Sequence, residues 1–500
     1  MSTRLSVVLL GGGDDATVLR TARSMALDPK APVRLVADAA SVSPTGRVAV
    51  EAALRSRVTW AHGSLRERVA SAAGDYVGLL APGDEVEPGV LRAVTDYLAT
   101  RPGTDVLYVD EQWAAPGIEG IQTKPGWAPH YLEGWDYLGR LCVVRRALVE
   151  QVGGVVDDER AAEWDLHLKV TEVTDRIEHL PLVGVTRLQP PSSEPDVVEA
   201  GRLAVAARYE RLGVAATVEV AHPAGYLRVW RSVPEPPPLV SVVVPTGGGR
   251  RDVRGEPVLV VETAVRSLVE RTTYPRWELV LVTSENTPDD VVDTVRELAG
   301  DRLTVAPVSG EFSFSHSVNE GVRVARGELV VLLNDDTEVI EPRWLDRMVA
   351  VAQDPSVGAV GAKLLFDDGT IQHVGIVHDD EWLPVHAHRV AADDASHFGA
   401  KIVDVDYLAV TAACVLVPRS LYVELGGFSE ELPMAFNDVD FCHKVVAAGR
   451  SVVCTPFATL YHYESSTRVA DVRPFERQYL IDRTVELAKH DPHVNHRSVR

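Results

Sequence analysis

Cysteine is scarce in this chain, four in 500 residues, and Cys142, Cys414, Cys442 and Cys454 stand far apart or in apolar surroundings with no C-x-x-C pair among them. That argues against a disulfide framework and against a structural zinc site built on thiolates. Long apolar runs are missing as well. The strongest, LAVTAACVLV from Leu408 and LVVLL from Leu329, fall well short of the roughly 18–20 residues that a membrane helix needs, so an integral membrane protein is not expected. The N-terminus, MSTRLSVVLLGGGDD, places one Arg before a short apolar run ending in Gly and Asp, without the small-residue cleavage site of a secretory signal. It reads as a first β-strand of a cytoplasmic protein. Positive charge is also short, with 50 Lys+Arg against 72 Asp+Glu and a net charge of -22. Nucleic acid is a poor partner for such a chain, because phosphate binding relies on Lys/Arg clusters that release counterions.

What is present is a long, 46% hydrophobic chain, enough for about two to four domains at ~100–200 residues each. The acid is unevenly spread, -6 in residues 1–250 and -16 in residues 251–500. Most of it reads as solvated surface, since net charge speaks to solubility and not to fold.

The clearest boundary is PEPPPL from Pro234, followed at once by the β-branched run Val240 to Val244. Proline cannot donate to a sheet ladder, so the stretch reads as a linker into a new buried strand. An earlier soft spot, QPPSSEPD at Gln189, precedes a helical segment from Val197 to Leu212 that meets Gly213 as a C-cap. With two strands around Ala215 and Tyr226, it looks like a bridge. The expected organisation is a first domain over 1–188, a bridge and linker over 189–238, a second domain over 239–468 and a helical tail over 469–500.

Signals recur in the same order in both halves. LSVVLL and VSVVVP open them, VRLVAD and WELVLV follow, and AAGDYVGLLAPGDEVEP from Ala72 parallels VARGELVVLLNDDTEVIEP from Val324. Later, LCVVRRALVEQVGG parallels ACVLVPRSLYVELGGF, and AEWDLHLKV parallels FNDVDFCHKVVAAG. A period of about 230 residues is too long for a solenoid, so the economical reading is one α/β domain twice, with mostly parallel sheets covered on both faces. Ligands in such sheets sit beyond the carboxyl ends of the strands.

Asn334-Asp335-Asp336 lies at that place in the second half. Adjacent carboxylates raise each other's pKa unless a cation neutralises them, and hard oxygen donors there suit Mg2+ or Mn2+ shared with substrate phosphates. An Asp-rich turn capping a helix explains the same residues. Asp438 and Asp440 sit at a helix entrance, where capping accounts for one acid and general-base catalysis wants one. His462 and Glu464 alternate along a strand and point to one face; near the acidic turn a neutral imidazole can complete a metal shell. Gln372 and His373 follow a turn at Asp368-Gly369.

Taken together, VSVVVPT, FSFSHSVNEGVRVARGELVVLLNDDTEV, DPSVGAVGAKLLFDDGTIQHVGIV, AVTAACVLVPR, GGFSEELPMAFNDVDFCHKVVAAG and TPFATLYHYESSTR resemble, in order, the family 2 glycosyltransferases, specifically the tandem-domain bacterial proteins that build cell-surface polysaccharide. The resemblance implies two GT-A domains in tandem, nucleotide-diphospho-sugar transferase-like and related to Rossmann folds. It implies a metal-dependent transfer, with inversion, from a nucleotide-diphospho-sugar to a hydroxyl of a surface-glycan or lipid-linked saccharide acceptor. By the same match Asp336 binds the metal, Asp335 faces the nucleotide with Asn334 beside it, and Asp438 is the base. His462 helps hold metal and pyrophosphate, and Thr246 and Asn319 contact the donor. Gln372, His373, Asp440 and Glu464 are acceptor-side or structural candidates.

The chain departs from the family where an acid after the second strand usually contacts the nucleotide: it reads VTSENT, with Thr283 and Ser284 there and Glu285 as a candidate substitute. The first half departs further. Ala81, Pro82 and Gly83 replace the metal-binding triplet and only Asp84 and Glu85 survive, so this half is expected to be inactive and to serve packing or acceptor recognition. The competing reading is a non-catalytic carbohydrate-binding or scaffold protein whose domains have both decayed. A nucleotidyltransferase would want a Gly-rich basic signature, which GGGRR at Gly247 offers without the motifs that should follow it. The basic tail after Arg468 is either a packing helix or a segment touching an acidic membrane surface.

Overall fold

The computed structural model describes residues 3–115, 118–189, 192–253, 256–379, 381–387, 399–463 and 472–493. The chain divides into two compact units between Val229 and Trp230.

The first unit contains β1 (Leu5–Leu9), β2 (Val33–Asp38), β3 (Val58–Ala61), β4 (Tyr76–Leu80), β5 (Glu85–Val86), β6 (Val106–Ala115), β7 (Ile118–Gln122), β8 (Val143–Arg145) and β9 (Ile177–Arg187). They form one sheet in the order β3-β2-β1-β4-β8-β6-β9-β5, with β7 beside β6. A hairpin of β10 (Ala216–His222) and β11 (Tyr226–Arg231) follows.

The second unit contains β12 (Val240–Thr246), β13 (Arg250–Val253), β14 (Glu256–Leu259), β15 (Trp277–Ser284), β16 (Leu303–Val308), β17 (Leu329–Leu333), β18 (Thr337–Val339), β19 (Val357–Leu365), β20 (Ile371–His373), β21 (Ile376–His378), β22 (Pro384–His386), β23 (Val405–Tyr407), β24 (Cys414–Pro418) and β25 (Ser451–His462). Its main sheet runs β16-β15-β12-β17-β24-β19-β25-β18, with β20 beside β19 and β23 beside β25. Replacing each strand by its counterpart in the first unit reproduces the first path, so the repeat visible in the sequence is also a repeat of topology.

In the second unit β16, β15, β12 and β17 are parallel throughout. The Val and Leu side chains of β12, β15 and β17 are buried on both faces, which is why these three strands read as near-continuous apolar runs, while the edge strand β16 is only partly buried. Beyond β17 the sheet is mixed: β24 runs antiparallel to β17 and β19, and β25 is parallel to β19 but antiparallel to β18. The helix Phe314–Val324 lies on the parallel part. A Cβ on its Gly321 would stand 2.4 Å from Val243 Cγ1, so glycine lets helix and sheet approach.

Two expected boundaries shift. The helix Pro195–Leu212, closed by Gly213 in the left-handed conformation, belongs to the first unit and is no separate bridge. Its small-residue face packs there: a Cβ on Gly201 would meet Trp164 at 2.8 Å, and Arg211 pairs with Glu172 at 2.7 Å. The tail helix, Pro474–Lys489, buries Glu476, Leu480 and Ala488 in the second unit. The basic residues from 494 onward lie outside the described residues. Among the described residues, no helix is long and apolar enough to cross a membrane.

Candidate active site

Strand β17 ends at Leu333 and delivers Asn334, Asp335 and Asp336 into the turn before β18. The pairing of β17 with β24 fixes this turn, since the Asn334 N–H donates to the Ala413 carbonyl at 3.0 Å. Thr246, at the end of β12, donates from Oγ1 to Asp335 Oδ2 at 2.7 Å, and its own carbonyl accepts from Thr287 Oγ1 at 3.0 Å. The strand-one exit and the acidic turn therefore meet, as expected of two parallel neighbours.

Asp336 is 5% exposed. Burial opposes its ionisation, yet His462 and Arg251 outweigh burial and hold the carboxyl below the usual range. His462 reaches it because β25 pairs with β18, setting Thr337 opposite His462. The distance from His462 Nε2 to Asp336 Oδ1 is 3.2 Å. On the ring's other side, Nδ1 lies 2.7 Å from Gln372 Oε1, while the Gln372 amide N–H donates to the His462 carbonyl at 3.3 Å. That orients the amide with its oxygen toward the ring, so Nδ1 carries a proton and Nε2 is the ring atom that faces Asp336. Asn334 Nδ2 lies 3.1 Å from the same Nε2, and Asn334 Oδ1 is buried with no hydrogen-bond partner.

This donor set, one carboxylate, one imidazole and a nearby amide oxygen, fits a divalent cation. Among the described residues no three His, Cys, Asp or Glu side chains converge as a full metal cage, so Asp336 and His462 would leave most coordination positions to whatever the cation brings.

Asp438 arrives from the helix Asn437–Ala447. Its Oδ2 accepts from the Ala412 N–H at 3.1 Å and its Oδ1 from the Val439 N–H at 2.8 Å. The segment Thr411–Ala413 thus ties together Asp438, Asn334 and, through the Thr411 N–H on His373 Nε2 at 3.4 Å, His373. His373 also lies 2.9 Å from His386, Nδ1 to Nδ1, and burial followed by the neighbouring histidines pushes its pKa well down.

Other expected residues stand apart. Asn319 spends its amide on Phe428, Glu430 and Tyr422, clamping the helix Phe314–Val324 to the loop at Phe428. Glu285 is exposed in the turn after β15. Asp440 is buried and neutralised by Lys444 at 3.1 Å and Arg483 at 3.1 Å, which is a structural role. Glu464 lies outside the described residues.

Two groups were missed. Arg251, on β13, donates from Nη1 to Asp336 Oδ2 at 2.5 Å and to the Tyr463 carbonyl at 2.8 Å; the GGGRR run was its only local signal. Glu476, from the tail helix, accepts the Met434 and Ala435 N–H groups at 2.8 and 2.9 Å, just ahead of Phe436 with φ +60° and the helix bearing Asp438.

In the first unit the matching place is filled from within. Aligned strand for strand, Arg187 takes the position of His462. Arg140 donates to Asp84 Oδ2 at 3.0 Å and pairs with Glu163, while Arg187 reaches Glu111 at 3.2 Å. Guanidinium groups neutralise the acids that survive there.

Residues 236–480 match the model of a family described as glycosyltransferase like family 2. The chain is 36% identical over 424 residues to the uncharacterized protein y4gI of Sinorhizobium fredii, covering 81% of this chain and 46% of that one. It is 33% identical over 461 residues to the O-antigen biosynthesis protein RfbC of Myxococcus xanthus, covering 88% of this chain and 35% of the relative. The chain thus spans less than half the length of these curated relatives. Among solved structures, a mannosyltransferase from Pyrobaculum calidifontis in complex with GDP-Man and Mn2+ is similar at a TM-score of 0.36 and 20% identity, covering 50% of this chain and 64% of that one.

Proposed function

Residues 236–480 belong to the glycosyltransferase-like family 2, and on that premise we propose that the second unit moves a sugar, with inversion, from a nucleotide-diphospho-sugar to a saccharide hydroxyl. The acceptor is a surface-glycan or lipid-linked saccharide, in keeping with the O-antigen biosynthesis protein among the relatives. The observation that carries the reading is that Asp336 faces His462 at 3.2 Å while the neighbouring Asn334 and the carboxylate of Asp438 are both held by the backbone of Ala412–Ala413.

Asp438 is the general base. Its carboxylate takes the proton of the acceptor hydroxyl as that oxygen attacks the anomeric carbon, and the Ala412 and Val439 N–H groups fix the position of its two oxygens. Asp336 and His462 would hold a Mg2+ or Mn2+ ion, with Gln372 orienting the imidazole through Nδ1. When bound, the ion neutralises charge on the departing diphosphate. Asp335 and Thr246 line the nucleotide side, and holding donor and acceptor in line supplies much of the remaining rate. The first unit takes no donor, because Arg140 and Arg187 occupy its equivalent place; it serves packing or acceptor recognition.

The test is a thermal-shift and hydrolysis screen of the full chain against nucleotide sugars with and without Mn2+ or Mg2+. At least one donor should stabilise the protein only with metal, and chelation should remove the effect. Asp438→Asn should keep that shift while turnover falls by about 10²-fold or more. If no donor binds with either metal, the non-catalytic scaffold reading takes over.

A further inference from the structure

Asp336 has two carboxylate oxygens, and both are engaged. Oδ1 faces His462 Nε2 at 3.2 Å, and Oδ2 receives Arg251 Nη1 at 2.5 Å. The Arg251 side chain is only 13% exposed, so water screens this pair weakly and a second cation brought to Asp336 would be repelled by the guanidinium. We propose that Arg251 is a built-in competitor for the divalent cation, making cation binding at Asp336 conditional on a nucleoside diphosphate. The inference rests on the reading of the second unit as a metal-dependent transferase.

The position of Arg251 favours exchange. It stands on the β13–β14 hairpin, which forms its own two-stranded sheet and is no part of the main one. The connection from β12 is Gly247-Gly248-Gly249; Gly248 has φ +72°, and a Cβ at Gly247 or Gly249 would meet nothing within 4 Å. Such a link lets the hairpin change direction without breaking a strand pair of the sheet. A diphosphate arriving beside the acidic turn offers the guanidinium two anionic oxygens in the fork geometry that arginine binds best. Arg251 then leaves Asp336 Oδ2 for the phosphate, and the cation takes its place. The first unit provides the contrast: there Arg140, which comes from a different element, is locked between Asp84 and Glu163, and its own backbone N–H is bound to Glu111.

The test is calorimetric titration of the full chain with Mn2+ alone, then in the presence of UDP and, separately, GDP. The variants are Arg251→Gln, Arg251→Lys and Asp336→Asn, each first checked for an unchanged melting profile. The wild type should bind Mn2+ alone weakly and markedly better with one of the two nucleotides. Arg251→Gln should bind Mn2+ alone at least tenfold tighter, and the factor by which nucleotide improves Mn2+ binding should fall at least tenfold. Arg251→Lys keeps the charge and should bind Mn2+ alone as weakly as wild type, but with a smaller gain from nucleotide because the ammonium lacks the fork. Equal Mn2+ affinity in wild type and Arg251→Gln, with Asp336→Asn abolishing it, would overturn the gating role while leaving the transferase reading intact. No Mn2+ binding in any protein, with or without either nucleotide, would overturn both.

Discussion

Glu476 is the residue on which the link between the tail and the chemistry can be measured. It is fully buried, and its Oε1 accepts two backbone N–H groups, from Met434 and Ala435, at 2.8 and 2.9 Å. Hydrogen bonds to a charged partner are each worth about 1.5–3 kcal/mol. The loop is half-buried, so water recovers part of that on truncation, and Glu476→Ala should cost roughly 3 kcal/mol. Glu476→Gln keeps an accepting oxygen without the charge and should cost about 1–2 kcal/mol. At about 2–4 °C per kcal/mol for a unit of this size, the Ala variant should melt about 6–12 °C lower. The assay is scanning calorimetry, following the transition that Mn2+ with nucleoside diphosphate moves. Phe436 follows this loop in a left-handed conformation that costs about 1–2 kcal/mol for a non-glycine residue, so releasing Glu476 also lets Phe436 relax and turns the first turn of the Asp438 helix. Turnover should therefore drop while the donor-induced thermal shift survives. A shift below about 2 °C for the Ala variant, or loss of donor binding in place of turnover, would refute the reasoning.

Asp336→Ala should abolish metal-dependent donor binding, whereas Asp84→Ala should leave turnover largely intact; comparable losses in donor hydrolysis assays would mean that the first unit also holds a donor. Burial, and after it the neighbouring His378, bring His443 down to about 4 from 6.5, against the opposing pull of Asp440 and Asp491. Because the folded pKa is depressed, the unfolded chain takes the proton first. Stability is complete above about pH 6.5 and is lost between 6.5 and 4, by up to roughly 3 kcal/mol; urea unfolding across this range should show the slope, and His443→Gln should flatten it. Arg347 is fully buried against Asp404, and Arg347→Ala should cost about 3–5 kcal/mol in the same unfolding assay, since a buried carboxylate loses its cation.

Much of the architecture could be read from local pattern. Strands buried on both faces must be near-continuous Val and Leu, so β12, β15 and β17 announced themselves, as did their counterparts β1, β2 and β4. An acidic turn after β17 marks a strand end wherever the sheet lies, and Asp438 sits in a first helical turn that its own neighbours define. The helix to Gly213 was legible down to its cap. Its membership of the first unit was not, because that depends on Gly201 meeting Trp164 across the fold.

The two α/β halves, their order of strands and helices, and the residue types at the strand ends follow from periodicity or from contacts within one turn of chain. Which charges meet depends on the folded chain. Arg251 lies 85 residues from Asp336 and 212 from Tyr463, His462 lies 128 from Asn334, and Glu476 lies 42 from Met434. An ion pair or tautomer set across such separations leaves no local periodicity behind. It exists because β25 returns beside β18 and the tail helix returns to the loop ahead of Asp438, and those returns turn an acidic turn into a candidate cation site and a helix-capping acid into a candidate base.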